Sequence, residues 1–236
     1  MKKDAQEYVK KCDKCQRFGN IIHSPIDDLT CISCTVSFEQ WGIDILGPFP
    51  ITRGQLKFVA VAVEYFTKWV EAEPLATISE PKLRTFIWRS IICRFGIPKV
   101  LITDNGRQFD NTQFKNFCSN LWVDHRLTSV FHPQSNGLAE VINWIILQDL
   151  RTRIRDVRGS WSDELPSILW TYKTSHQTTM GKTPFMLAFG IEATVLVEIR
   201  LPSQRRLEPE DAGCTTEHLD LLEEVRDEVV LRMTSY

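Results

Sequence analysis

Gln40-Trp-Gly-Ile-Asp-Ile-Leu46 reads as a strand with an acid set among apolar residues. Gly47-Pro48 ends the run, because glycine permits a turn and proline lacks the amide that a ladder needs. In the middle of a sheet the carboxylate of Asp44 is costly unless another group pairs with it. Outward from this segment, Lys57-Phe-Val-Ala-Val-Ala-Val-Glu-Tyr65 is β-branched and apolar, and Trp69–Leu75 alternates weakly. Three strands with short connectors, one of them at Arg53-Gly54, predict an antiparallel meander.

Glu80–Phe95 is amphipathic through Leu83, Phe86, Ile87 and Ile91, and Gly96-Ile-Pro98 supplies a helix stop. Lys99–Thr103 is a short apolar strand that runs into Asp104-Asn-Gly106. Asn111–Leu121 has Phe114, Phe117, Cys118 and Leu121 at helical spacing, and His125–Thr128 is a brief strand. The polar loop Phe131-His-Pro-Gln-Ser-Asn-Gly137 precedes a long helix over Leu138–Arg158, and Trp161–Thr174 forms another, with Ser160 as its N-cap. Glu217–Met233 is a separate charged helix, in which Leu219, Leu222, Val225 and Val229 suggest packing on a partner or on the domain itself. The order β-β-β-α-β-α-β-α-α predicts an α/β fold, a mixed five-stranded sheet flanked by helices, with short helical extensions at both ends.

The 236 residues, 43% of them hydrophobic, suffice for one core of about 150 residues. We divide the chain into 1–37 (a cysteine-bearing segment and linker), 38–190 (the α/β core) and 191–236 (a linker and an acidic helix). No apolar run approaches the roughly 20 residues of a membrane span, so no membrane partner is expected. Met1-Lys-Lys-Asp-Ala-Gln-Glu7 has no apolar stretch of the secretory kind, so the seven cysteines are expected to be thiols or metal ligands. The net charge of −2 hides an asymmetry: residues 207–230 carry a local −8, which leaves the body mildly basic. That is compatible with phosphate binding without demanding it.

Three acids carry the candidate chemistry. Asp44 lies within a strand, Asp104 ends one, and Glu140 stands one turn into a helix. Each alone has an ordinary explanation, as an Asx-turn, a cap or a solvated helix residue. Meeting at one sheet edge, three hard oxygen donors suit Mg²⁺ or Mn²⁺. Two such ions about 3.5–4 Å apart serve in-line phosphoryl displacement without a nucleophilic side chain.

Trp41-Gly-Ile-Asp-Ile-Leu-Gly-Pro-Phe-Pro50, Thr103-Asp-Asn-Gly-Arg-Gln-Phe109 and His132-Pro-Gln-Ser-Asn-Gly-Leu-Ala-Glu140 resemble the integrase core of gypsy-type LTR retrotransposons, especially plant ones. Thirty-five residues separate Asp104 from Glu140, the spacing of retroviral-type integrases. The likeness continues through Val63–Val70, Arg94–Pro98, Trp161–Pro166 and Gly181–Phe185. It implies a ribonuclease-H-like fold, 3′-end processing and strand transfer on DNA, and Asp44, Asp104 and Glu140 as metal ligands. It also implies element ends and target DNA as partners, homo-oligomers, and a nuclear location, otherwise cytoplasmic. Gln134, Ser135 and Asn136 correspond to a loop that contacts the donor end in the family. Two departures stand out: Glu64 replaces a usual Asp, and Trp144 a usual Lys or Arg, which removes one possible phosphate contact.

Cys12-x₂-Cys15 and Cys31-x₂-Cys34, fifteen residues apart, would alone suggest a four-cysteine zinc site. The resemblance implies instead that Cys12 and Cys15 are half of a finger whose His pair would precede Met1, so a Zn²⁺ site here is expected to be incomplete. The rival reading of the whole is a truncated, inactive remnant that acts only as a nucleic-acid-binding or protein-interaction domain.

Overall fold

The computed structural model describes residues 11–12, 35–128, 137–154, 161–194 and 212–234. Strands β1 (Gln40–Leu46), β2 (Phe58–Glu64) and β3 (Val70–Leu75) form the antiparallel meander. β4 (Val100–Thr103) pairs parallel with β1, and β5 (Asp124–Leu127) parallel with β4. The sheet order is β3-β2-β1-β4-β5, the expected mixed five-stranded sheet.

Alternation along β2 explains how both faces are filled. Ala60 and Ala62 join Trp41, Ile43 and Leu101 on one face. Val59, Val61 and Val63 join Leu46 on the other, as the two-residue period of a strand requires. The first face is covered by α1 (Glu80–Phe86), which runs on through a π-helical stretch, Ile87–Ile92, and a last turn, Cys93–Phe95. Its expected apolar stripe of Leu83, Phe86, Ile87 and Ile91 is fully buried there. α2 (Thr112–Asn120) closes the same side, with Asn111 accepting the Phe114 amide at 2.8 Å as N-cap.

The second face is covered by α3 (Gly137–Ile154) and α4 (Trp161–Thr174). Ile142, Ile146 and Leu150, spaced by four, form the α3 stripe against the β2 valines. The expected end of α3 at Arg158 and the Ser160 cap lie outside the described residues.

α5 (Pro184–Phe189) was not expected from the sequence. Thr183 caps it by accepting the Met186 amide at 3.0 Å, Pro184 opens it and Gly190 closes it at φ 79°. Thr-Pro before an apolar run and Gly after it are the signals that mark such a helix. The acidic C-terminal helix, α6 (Ala212–Thr234), starts earlier than expected and packs on the domain itself. Val229 is buried among Phe66, Met180 and Leu187, and Arg226 donates from Nε and Nη2 to the Leu187 carbonyl at 3.2 and 3.0 Å. No helix among the described residues is long and apolar enough to cross a membrane.

Trp122, just past α2, adopts φ 58° and is 94% exposed. Its ring contributes little packing, while the left-handed backbone costs a side-chain-bearing residue about 1–2 kcal/mol. Glycine avoids that cost but gives back part of the gain through its freer unfolded chain. Trp122→Gly is therefore expected to stabilise the protein by about 0.5–1 kcal/mol, seen as a higher urea midpoint at unchanged slope. A lower midpoint would show that the exposed indole makes a stabilising contact.

Candidate active site

The parallel pairing of β1 with β4 puts Ile43 opposite Thr103. One step further along each chain segment come Asp44, still within β1, and Asp104, the first residue past β4. Neighbouring strands lie about 4.8 Å apart, and residues level with each other share a face. Asp44 belongs to the face of Leu46 and of Val61, its β2 partner, which α3 covers. Asp44 thus lies beneath that helix, and Asp104 stands just past the C-terminal end of the neighbouring parallel strand.

The helix touches the first of them. Asn143 Nδ2 donates to Asp44 Oδ2 at 2.6 Å, and Asp44 Oδ1 accepts the Ile45 amide at 2.7 Å. Asn143 is 4% exposed, and its Oδ1 is buried with no hydrogen-bond partner. An orphaned acceptor beside a carboxylate is costly, and it is the kind of donor set that a hard cation or its water satisfies. Sequence reasoning missed Asn143, although a polar residue three positions after Glu140, inside Val-Ile-Asn-Trp-Ile-Ile-Leu, was a usable signal.

Asp104 is held by its own turn, where Oδ1 accepts the Gly106 amide at 3.1 Å. Behind it, Thr103 Oγ1 donates to the Asp104 carbonyl at 3.1 Å and lies 2.9 Å from His125 Nε2. With that hydroxyl proton committed, Nε2–H of His125 is the donor of the second bond. Burial, then the nearby Lys115, pushes the His125 pKa below its usual value, so the ring braces the strand end as a neutral imidazole.

Glu140 lies in the first turn of α3, three positions before Asn143 and so on the same helical face; its side chain is outside the described residues. Gln134, Ser135, Asn136, Cys15, Cys31 and Cys34 also lie outside them, while Cys12 is half-buried. Among the described residues no three His, Cys, Asp or Glu side chains cluster as a metal site; what they bring together is Asp44 with Asn143, and the β1–β4 pairing puts Asp104 just past the end of the strand beside Asp44's. Trp144 is 42% exposed on α3. Cys93 is exposed, and Cys118 is buried, its thiol pushed up to about 11 by desolvation.

Residues 35–133 match the integrase core domain family. The chain is 30% identical over 192 residues to the Gag-Pol polyprotein of gibbon ape leukemia virus, covering 80% of this chain and 11% of that protein. It is 25% identical over 190 residues to a retrovirus-related Pol polyprotein from transposon 412 of Drosophila melanogaster, covering 80% and 15%. The chain thus spans less than a fifth of the length of these relatives. Among solved structures it is similar to a simian T-cell lymphotropic virus intasome (TM-score 0.61, 22% identity, 89% of this chain and 70% of that one). It is also similar to the HTLV-2 integrase catalytic core domain in complex with magnesium, in a trimeric form (TM-score 0.52, 21% identity, 63% and 94%). At these identities the structural likeness establishes the ribonuclease-H-like fold. The sheet, the helices around it and the matched residues together identify a retroviral-type integrase core domain, with homologues in retroviral and transposon Pol polyproteins.

Proposed function

We propose that this chain is a metal-dependent DNA polynucleotidyl transferase of the integrase type, encoded by a gypsy-type LTR element, that processes 3′ ends and transfers strands into target DNA. The observation that supports the reading is the pairing of β1 with β4, which carries Asp44 and Asp104 on neighbouring parallel segments, together with the bond to Asp44 from Asn143 on the helix that bears Glu140. Asp44, Asp104 and Glu140 would hold Mg²⁺ or Mn²⁺, and the paired carboxylates with an orphaned amide oxygen fit that role. Bound there, the ions would supply Lewis acidity to the attacking hydroxyl and neutralise charge on the leaving oxygen.

The protein's own contribution is positioning. Asn143 and the Ile45 amide fix one carboxylate, and the Gly106 amide fixes the other, so little reorganisation is left for the reaction itself. The nucleophile is water or a DNA 3′-hydroxyl, and no side chain forms a bond to substrate. The relatives described as an intasome and as a trimeric catalytic core support DNA and further copies of the chain as partners, and chromosomal DNA as target implies a nuclear location.

The test is an oligonucleotide nicking and strand-transfer assay in Mn²⁺ on the whole chain. Wild type is expected to give metal-dependent product and Glu140→Gln none. Equal product from both proteins, or no product from wild type, would overturn the proposal.

A further inference from the structure

The loop between β1 and β2, residues 47–57, leaves the sheet three positions after Asp44. It is tied down at unusually many points for an exposed connector. The Phe49 amide donates to Lys57 O at 2.7 Å, Thr52 N to Leu56 O at 3.1 Å, and Gln55 N to Thr52 O at 3.1 Å. From α4, the Trp161 indole donates to Pro50 O at 2.7 Å and packs on Phe49 with ring centroids 5.0 Å apart. Thr52 Oγ1 lies 3.5 Å from Ser162 Oγ. At the base, Gly47 has φ 124°, and a Cβ there would meet Lys57 O at 2.7 Å, so the close approach of the two loop strands requires glycine.

Rigid as its base is, the tip is open. Ile51 is 63% exposed, and Arg53, Gly54 and Gln55 are exposed. Gln55 holds φ 60° in the left-handed region, a strained backbone that persists only where its surroundings over-determine it. Arg53 has no ion-pair partner among the described residues, whereas seven other cations there have a carboxylate within 4.0 Å. Arg107, in the turn after Asp104, likewise has none among the described residues. Two exposed guanidinium groups without an ion-pair partner among the described residues thus stand on the loops that follow β1 and β4, the strands that lead to Asp44 and Asp104.

We propose that the β1–β2 loop is a preformed clamp for the phosphate backbone of the substrate strand, with Arg53 as its phosphate contact on the β2 side of Asp44. This rests on the polynucleotidyl transferase reading, which makes the ligand a polyanion. A guanidinium suits the role because its planar fork meets phosphate oxygens in pairs. A loop already held in place loses little conformational entropy when it binds. Rigidity at the base and freedom from acids at the tip are the combination that this function requires.

The experiment measures anisotropy of a fluorescein-labelled DNA duplex titrated with the whole chain across a range of salt concentrations. Arg53→Ala is expected to weaken binding roughly threefold to tenfold and to reduce the slope of log K against log salt by about 0.9, one phosphate contact. Arg89→Ala removes another exposed cation, from the π-helical stretch, and is expected to change neither. If Arg53→Ala binds like wild type, or if both variants weaken binding alike, the clamp is refuted. Parallel strand-transfer assays separate the two ideas. Product from wild type alongside unaltered DNA binding by Arg53→Ala sinks the clamp alone, while a wild type that neither binds nor processes DNA sinks both.

Discussion

Asp104→Asn is expected to lower Mn²⁺-dependent strand cutting and joining by about 10²–10³-fold or more, with no loss of thermal stability in the absence of metal. The stability half of this result follows from geometry. Asp44 lies in β1 and Asp104 just past its parallel neighbour β4, and like charges on neighbouring segments repel unless a cation lies between them. Replacing one of them by an amide of the same shape relieves repulsion. It also keeps the acceptor that the Gly106 amide uses. Wild type is expected to gain thermal stability as Mn²⁺ is added, because a ligand that binds only the folded state shifts the equilibrium by mass action. The variant should gain little. Asn143→Ala is expected to fall between the two, with activity reduced about 10–100-fold, as for groups that orient a metal ligand. An Asp104→Asn protein that retains full activity, or whose melting temperature rises with Mn²⁺ as much as wild type's, would remove the metal site from these strand ends.

The second large effect concerns folding. Glu71 on β3 is buried, and its Oε1 accepts the Trp69 indole at 2.7 Å and pairs with Arg94 at 2.9 Å and Lys173 at 3.2 Å. Lys173 is itself buried on α4, its ammonium 4.2 Å from the Trp69 ring centroid. Burial pushes the Lys173 pKa down and Glu71 pulls it up, so the ion pair keeps the charge tolerable inside the protein. Glu71→Leu leaves that ammonium without its counter-charge and is expected to cost about 3–5 kcal/mol. The double variant Glu71→Leu/Lys173→Met is expected to recover most of the loss, because an apolar pair of similar volume often replaces a buried ion pair at little cost, and half-exposed Arg94 can turn to water. Urea unfolding of both proteins is the measurement. A single variant losing less than about 1 kcal/mol, or a double variant no better than the single, would show that the cluster does not hold β3 and α4 together in this way.

What could be read in the chain itself was whatever local periodicity and turn chemistry encode. The β-branched, apolar run Lys57–Tyr65 predicted a strand. Leu83, Phe86, Ile87 and Ile91 predicted the stripe of α1, and Gly47-Pro48 and Gly96-Ile-Pro98 marked the ends. Asp44 and Asp104 could be singled out because an acid within or at the end of an apolar strand demands an explanation. Local pattern does not carry strand pairing, and the parallel pairing of β1 with β4 alone made neighbours of the segments that bear those two acids. It also does not carry contacts between distant segments. Asn143 meets Asp44 across 99 positions, Trp161 holds Pro50 across 111, and Lys173 meets Glu71 across 102. Whether α6 faced a partner or its own domain was equally open in sequence, since an apolar stripe names no surface to cover it. Packing Val229 against Phe66, Met180 and Leu187 decided it, because only the folded sheet and α5 together create the apolar surface for that stripe.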